Sequence, residues 1–258
     1  MIALCYLLYL LGAIAFILGL RGLSNPKTAR RGNLTAAAGM FLAIVASLVY
    51  PLESAPENFL WIYGALAVGA ILGWISAARV AMTAMPQMVS VFNGLGGGSA
   101  MLLAIIEFNN LLQLDLINDL LVFILLFTLF VGAVSFSGSI LAYLKLDGKV
   151  RDKNISLPWH QILNVFLLAA SIASLAYAWY EPSAFSLTLA TVLALIYGFS
   201  FVAPIGGADM PVVISLLNSI TGISAASAGF LYQNQIMILG GILVGSSGTI
   251  LTILMCNA

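Results

Sequence analysis

The stretch MPQMVSVFNGLGGGSA, Met85 to Ala100, returns further along the chain as MPVVISLLNSITGISA, Met210 to Ala225, and the fold is read outward from that recurrence. Met85 pairs with Met210, Pro86 with Pro211, Ser90 with Ser215, Asn93 with Asn218 and Gly97 with Gly222, each at an offset of 125 residues. In both copies Ser, Asn and Gly stand at i, i+3 and i+7, so on a helix they share one face, while the residues around them are apolar. A polar face on an apolar helix requires water or a partner.

The surrounding composition says what kind of helix this is. The 258 residues are 62% hydrophobic and 7% charged, with a mean hydropathy of +1.11, more apolar material than a soluble core could absorb. Apolar runs of about 20 residues, each able to cross a ~30 Å hydrocarbon layer at ~1.5 Å per residue, predict an all-α integral membrane protein rather than a barrel. The 9 basic and 9 acidic residues cancel, and no basic cluster with interleaved aromatics occurs, which argues against nucleic acid as a partner. The opening run, residues 1–20, has no basic leader and no small-residue cleavage site, so it is read as an uncleaved span.

Hydropathy predicts a bundle of nine transmembrane spans, at 2–20, 34–52, 59–77, 82–106, 120–143, 158–180, 184–204, 210–231 and 236–255. All the basic residues fall after odd-numbered spans: Arg21, Lys27, Arg30 and Arg31, then Arg79, then Lys145, Lys149, Arg151 and Lys153. The positive-inside rule makes that side cytoplasmic, so the N-terminus is expected outside and the C-terminus inside. Glu53, Glu57, Glu107, Asp115, Asp119 and Glu181 fall on the other side, and Trp61, Trp74, Trp159 and Trp179 sit near span ends as interfacial anchors. Cys5 and Cys256 are thereby placed on opposite sides, unable to bridge, and form no metal pattern.

The offset that pairs Met85 with Met210 also pairs span 3 with span 7 and span 4 with span 8, and SFSGSIL (Ser135–Leu141) resembles VGSSGTIL (Val244–Leu251). Spans 3–5 and 7–9 are therefore expected to form a parallel internal repeat. Gly69/Gly73, Gly94/Gly98 and Gly241/Gly245 have the spacing that lets helices approach closely, and Gly97 and Gly222 are assigned to the same packing role. GLGGGS, Gly94 to Ser99, lies inside a membrane helix and is read as packing rather than as a nucleotide loop.

Asn93 and Asn218 each lie seven residues beyond the proline that opens their helix, about 11 Å along the axis and toward the bilayer midplane. An interhelical hydrogen bond is the plain explanation of a membrane Asn. Two duplicated ones beside Ser90 and Ser215, with Ser135, Ser137, Ser246 and Ser247 on the paired helices, could instead line one wet path. These side chains can hold water for proton hopping but cannot store the proton. Asp209, just before Met210 and Pro211, has two readings: a helix cap, or a charge with a specific role at the cytoplasmic mouth, since the first copy has Ala84 there. His160 is read as an interfacial histidine.

At this point GLSNPKTARRGN (Gly22–Asn33), MTAMPQMVSVFNG (Met82–Gly94), SFSGSILAYLKLDGK (Ser135–Lys149), GGADMPVVISLLNS (Gly206–Ser219) and LVGSSGTILTILMC (Leu243–Cys256) can be taken together. They resemble the membrane part of the β subunit of proton-translocating nicotinamide nucleotide transhydrogenase, over almost the whole chain. The resemblance implies that residues 1–258 form the transmembrane proton-translocating domain of a complex exchanging hydride between NAD(H) and NADP(H). An NADP(H)-binding domain is then expected after the last span. An NAD(H)-binding domain and further membrane helices belong to an α subunit, and the protomers form dimers in a bacterial inner membrane. No cofactor is expected in these residues. The proton path is carried onto Asn93, Asp209, Asn218, Ser246 and Ser247, with Ser90 and Ser215 beside them. Many family members have His where this chain has Asn93, so the titrating group is expected on a companion helix. A secondary transporter with a midplane polar substrate site, and a structural anchor, remain the alternatives.

Overall fold

The computed structural model describes residues 2–23, 25–49, 58–114, 118–150 and 159–257. Among them are nine α-helices and no strand: α1 (Ile2–Leu23), α2 (Ala29–Val49), α3 (Phe59–Arg79), α4 (Met85–Leu114), α5 (Asp119–Leu146), α6 (His160–Tyr180), α7 (Ala184–Val202), α8 (Met210–Leu231) and α9 (Gln235–Cys256). Each is long and apolar enough to cross a membrane. Glu53, Glu57, Asp115, Arg151 and Lys153, used in the charge argument, lie outside the described residues, as do the end of the second predicted span and the start of the sixth.

Two helices run past their predicted ends. α4 continues eight residues beyond 106, through Glu107, Asn109 and Asn110, because Phe108 and Leu111 still find a core and Asn109 folds its amide back onto the Ile105 carbonyl at 2.9 Å. α5 runs to Leu146 rather than 143, which brings Lys145 inside the helix.

The chain divides into two compact units, residues 1–79 and 80–258. In the first, α1 and α2 form an antiparallel hairpin with almost touching backbones. A Cβ added at Gly22 would lie 2.8 Å from the Gly32 Cα, and one at Gly39 would lie 2.7 Å from the Gly12 carbonyl oxygen. Cys5 and Ala46 are fully buried in this hairpin, and Tyr9 and Ser47 share a hydroxyl hydrogen bond of 3.0 Å. α3 buries no residue, and a Cβ at Gly69 or Gly73 would meet nothing within 4 Å among the described residues. The tight helix contact expected of that glycine pair is therefore not made among the described residues.

In the second unit α5 is the most deeply buried helix and packs against α4, α7 and α8. One apolar cluster joins Phe108, Leu111, Leu125, Leu129 and Leu187 at the C-terminal end of α4; another joins Leu141, Val202, Met210, Val213 and Leu217 near its N-terminal end. Between them α4 and α5 cross on glycine: a Cβ at Gly97 would lie 2.9 Å from the Gly132 carbonyl oxygen and 3.0 Å from the Phe136 nitrogen. α8 and α9 cross in the same manner: a Cβ added at Gly222 would lie 2.8 Å from the Gly241 carbonyl oxygen and closer still to the Gly245 nitrogen. Gly94 faces the Ser139 Cβ, Gly98 faces the Phe136 ring, and Gly245 itself has only ordinary contacts, the nearest at 3.5 Å.

Both Met-Pro helices enter through a short 3₁₀ turn, Met82–Ala84 before α4 and Gly207–Asp209 before α8. The second turn is opened by Gly207 at φ +65°, a backbone conformation a side chain would strain.

The crossing predicts a contrast between two glycines of the same hairpin. Gly222→Ala forces its new methyl into the α9 backbone and should destabilise the protein by about 1–3 kcal/mol. Gly240→Ala points into open space and should be neutral or slightly stabilising. Thermal unfolding of the two variants in detergent checks this; equal midpoints would contradict the crossing.

Candidate functional site

Where α4, α5 and α8 meet, four side chains form a polar node inside the apolar unit. Asn93 on α4 is only 6% exposed and donates its amide to the Ser139 hydroxyl at 2.9 Å and the Ser135 hydroxyl at 3.4 Å, both on α5. Ser135 in turn reaches α8, donating to the Leu217 carbonyl at 3.3 Å and sharing a very short hydroxyl contact with Thr221. One turn before Asn93, Ser90 is 1% exposed and donates to the Ser139 carbonyl at 2.8 Å. Each group sits where it does for a local reason. Gly94 and Gly97 let α5 approach, and the absence of a side chain at Gly96 leaves room for the Thr221 methyl, 3.2 Å from where a Cβ would stand.

The node is incomplete. The Asn93 Oδ1 atom is buried and has no hydrogen-bond partner. A buried amide oxygen left this way costs about 1–3 kcal/mol, so it marks a place for a donor that the described residues do not supply.

Asn218 is treated differently from Asn93, although the two match in sequence. It is half-buried, and among the described residues its side chain has no hydrogen-bond partner. The reason lies on the facing helix. Gly132 and Phe136 on α5 take the places that Gly241 and Gly245 take on α9, an offset of 109, so Val244 and Gly248 stand where α5 has Ser135 and Ser139. At those two places α9 therefore offers the second amide no hydroxyl. α8 and α9 are joined by serines instead: Ser215 donates to the Gly248 carbonyl at 3.1 Å, and Ser219 to the Gly245 carbonyl at 2.6 Å while also bonding Thr249.

The remaining expected members are not gathered at the node. Ser246 and Ser247 are exposed and donate to carbonyls of their own helix, Ile242 at 2.6 Å and Val244 at 3.0 Å. Ser137 likewise donates to its own helix, at Ala133. Asp209 is exposed and stands at the N-cap position of α8, yet its side chain makes no capping bond. The cap that its sequence position allows is therefore absent, and the carboxylate faces outward. His160 is 8% exposed rather than solvated, its Nε2 3.0 Å from the Ser200 carbonyl.

Three residues were missed by the sequence reading: Ser139 and Thr221 of the node, and Lys145 beyond it. Lys145, assigned there to a connection, is 2% exposed, and its ammonium donates to the carbonyls of Val202 at 3.3 Å, Ala203 at 2.5 Å and Ile205 at 2.6 Å. It caps the C-terminal end of α7, where free carbonyls and the helix dipole both favour a cation. It also ties α5, which carries Ser135 and Ser139, to the connector that leads to Asp209. The signal was present in the sequence: Lys145 is flanked by Leu144 and Leu146, in the last turn of an apolar helix, while Lys149 follows the break at Gly148.

Comparison with known proteins places the chain in a family. The family described as NAD(P) transhydrogenase beta subunit matches residues 5–258. Two Rhodospirillum rubrum sequences named NAD(P) transhydrogenase subunit beta are similar to the chain, each 39% identical over 266 residues, covering 96% of this chain and 54% of the relative. The chain thus spans about half the length of the curated relatives it matches.

The Lys145 cap yields a stability prediction. Lys145→Met leaves buried carbonyls without their donor and should cost about 2 kcal/mol, read as a lower unfolding midpoint of the detergent-solubilised protein. Unchanged stability would show that the cap does not hold α7.

Proposed function

The chain belongs to the NAD(P) transhydrogenase beta subunit family, and on that premise we propose that it is the proton-conducting membrane domain of a complex coupling hydride transfer between NAD(H) and NADP(H) to proton translocation. The observation that carries this reading is the node at Asn93: a buried amide, two serines and a threonine spanning three apolar helices, with one acceptor left open. An arrangement made only to pack helices would close its hydrogen bonds internally; one that holds water, or a donor from a companion chain, leaves an acceptor free.

The roles follow from the chemistry of each group. Asn93, Ser135, Ser139 and Thr221 orient water or a partner group without titrating, so the proton itself is stored elsewhere, on a companion α subunit helix. Asn218 and the exposed Ser246 and Ser247 offer further polar surface toward such a helix. The outward-facing Asp209 stands at the cytoplasmic mouth, where a nucleotide-bearing domain following the last span would dock. NAD(H) and NADP(H) are held by those other domains. The assembly is a dimer of protomers in a bacterial inner membrane, with the N-terminus of this chain outside and its C-terminus inside. The matching glycine crossings of α4–α5 and α8–α9, and the 3₁₀ turn before each Met-Pro helix, support a parallel repeat as its scaffold. The alternative of a secondary transporter rests on the unpartnered Asn218 amide and predicts solute flux instead.

The test uses the complete complex in sealed vesicles. Asn93→Leu removes the amide while keeping a shape the helix tolerates, and should slow proton uptake and coupled hydride transfer together by about tenfold or more. Native rates in a folded variant would overturn the assignment.

A further inference from the structure

Three buried side-chain polar atoms among the described residues lack a hydrogen-bond partner: the Asn93 Oδ1, the Gln87 Oε1 and the His160 Nδ1. Two of them lie on α4, and the Gln87 one has no place in the site so far. Gln87 sits in the first turn of α4, six residues before Asn93 and about 9 Å from it along the axis. Its Nε2 donates to the Leu146 carbonyl at the end of α5, 2.8 Å away. Because that partner can only accept, the amide cannot be turned round, and the Oε1 is fixed as the free acceptor.

Deeper in the membrane Asn93 engages α5 through one end of its amide and leaves the other end open; with the nitrogen on the Ser139 hydroxyl, the open end is the Oδ1 atom. Ser90 lies midway, its proton committed to the Ser139 carbonyl, so its oxygen too can only accept. Along the α4–α5 seam there are thus three acceptors spaced by one helical turn, at positions 87, 90 and 93, with α5 taking the donated proton at each. A file of acceptors is satisfied by molecules that donate and accept in series, and water is the small group that does both.

We propose that Gln87 holds the first water of this file, at the N-terminal end of α4, and positions it for proton transfer toward Asn93. The inference rests on the proton-conducting reading above and adds to it a residue outside the duplicated Ser-Asn-Gly set; the matching position in the second copy is Val212, whose side chain has no polar atom. No proton is stored on the amide. A proton entering at the Gln87 water leaves at the Asn93 water, each water passing on one proton as it accepts another.

The experiment compares Gln87→Leu, Gln87→Glu and Asn93→Leu in the complete complex, as proton flux into sealed vesicles against pH. Gln87→Leu should lower the flux by about tenfold. Gln87→Glu restores an acceptor but loses the donor to Leu146, so it should recover flux above the Leu variant and add a pH inflection that the native protein lacks. If Gln87 only braces the end of α5, Gln87→Glu will be no better than Gln87→Leu and will add no inflection, which overturns the proposal. Slow flux in Asn93→Leu with native flux in Gln87→Leu overturns the Gln87 inference alone; native flux in both overturns the proton-path reading beneath it. If Gln87→Leu fails to fold, the Gln87→Glu profile decides.

Discussion

Everything polar in this structure is arranged around one requirement: inside an apolar helix bundle, a hydrogen-bonding group must be matched, because no bulk water is there to match it. The second unit meets that requirement almost everywhere by local means. Hydroxyls of Thr128, Ser137, Thr191 and Ser246 turn back onto their own helices, and the ends of α5, α7 and α9 are closed by Asn118, Ser183 and Asn234. The α4–α5 seam is the main exception, holding two of the three buried unpartnered atoms among the described residues. Its two amides donate to α5, while the Gln87 Oε1 and Asn93 Oδ1 atoms are left without a partner, which is the pattern of a surface prepared for something that donates.

That seam depends on glycine. Hydroxyl and amide groups as short as those of Ser139 and Asn93 can bond across two helices only if the backbones nearly touch, and Gly97 against Gly132 brings them that close. The same crossing appears in α8–α9 with the opposite distribution of small and polar residues. Where α4 has Gly94 facing Ser139, α8 has Ser219 facing Gly248. One hairpin therefore directs its polar groups to an amide with a spare acceptor, and the other closes them on the backbone.

Much of this is legible in the sequence, and the part that is not has a physical cause. Hydropathy finds the nine helices because crossing a bilayer imposes length and composition on each of them. The recurrence of Met-Pro, Ser and Asn picks out Ser90 and Asn93 correctly as buried polar groups. It also suggests that Asn218 has an equal setting, and it does not. Aligning SGSIL with SGTIL pairs Ser139 with Thr249, whereas the packed helices put Gly248 in that place, and one residue of register is enough to turn a hydroxyl away. The second omission is Lys145. Positive charge near a helix end reads as a solvated connection, and only the return of α7, with three free carbonyls, makes burial of the ammonium favourable. Neither the register nor the return is a local property of the chain. Asp209 shows the converse: the local pattern of a cap is present, but the 3₁₀ turn leaves its carboxylate facing outward.

The account centres on the open acceptor at Asn93, and the most direct measurement is a density map of the complete complex at a resolution that shows ordered water. Density for water, or a donor group from a companion helix, within hydrogen-bonding distance of the Asn93 Oδ1 atom is the predicted result. An Oδ1 atom packed only against carbon in the full assembly would contradict it, leaving the node as helix packing and nothing more.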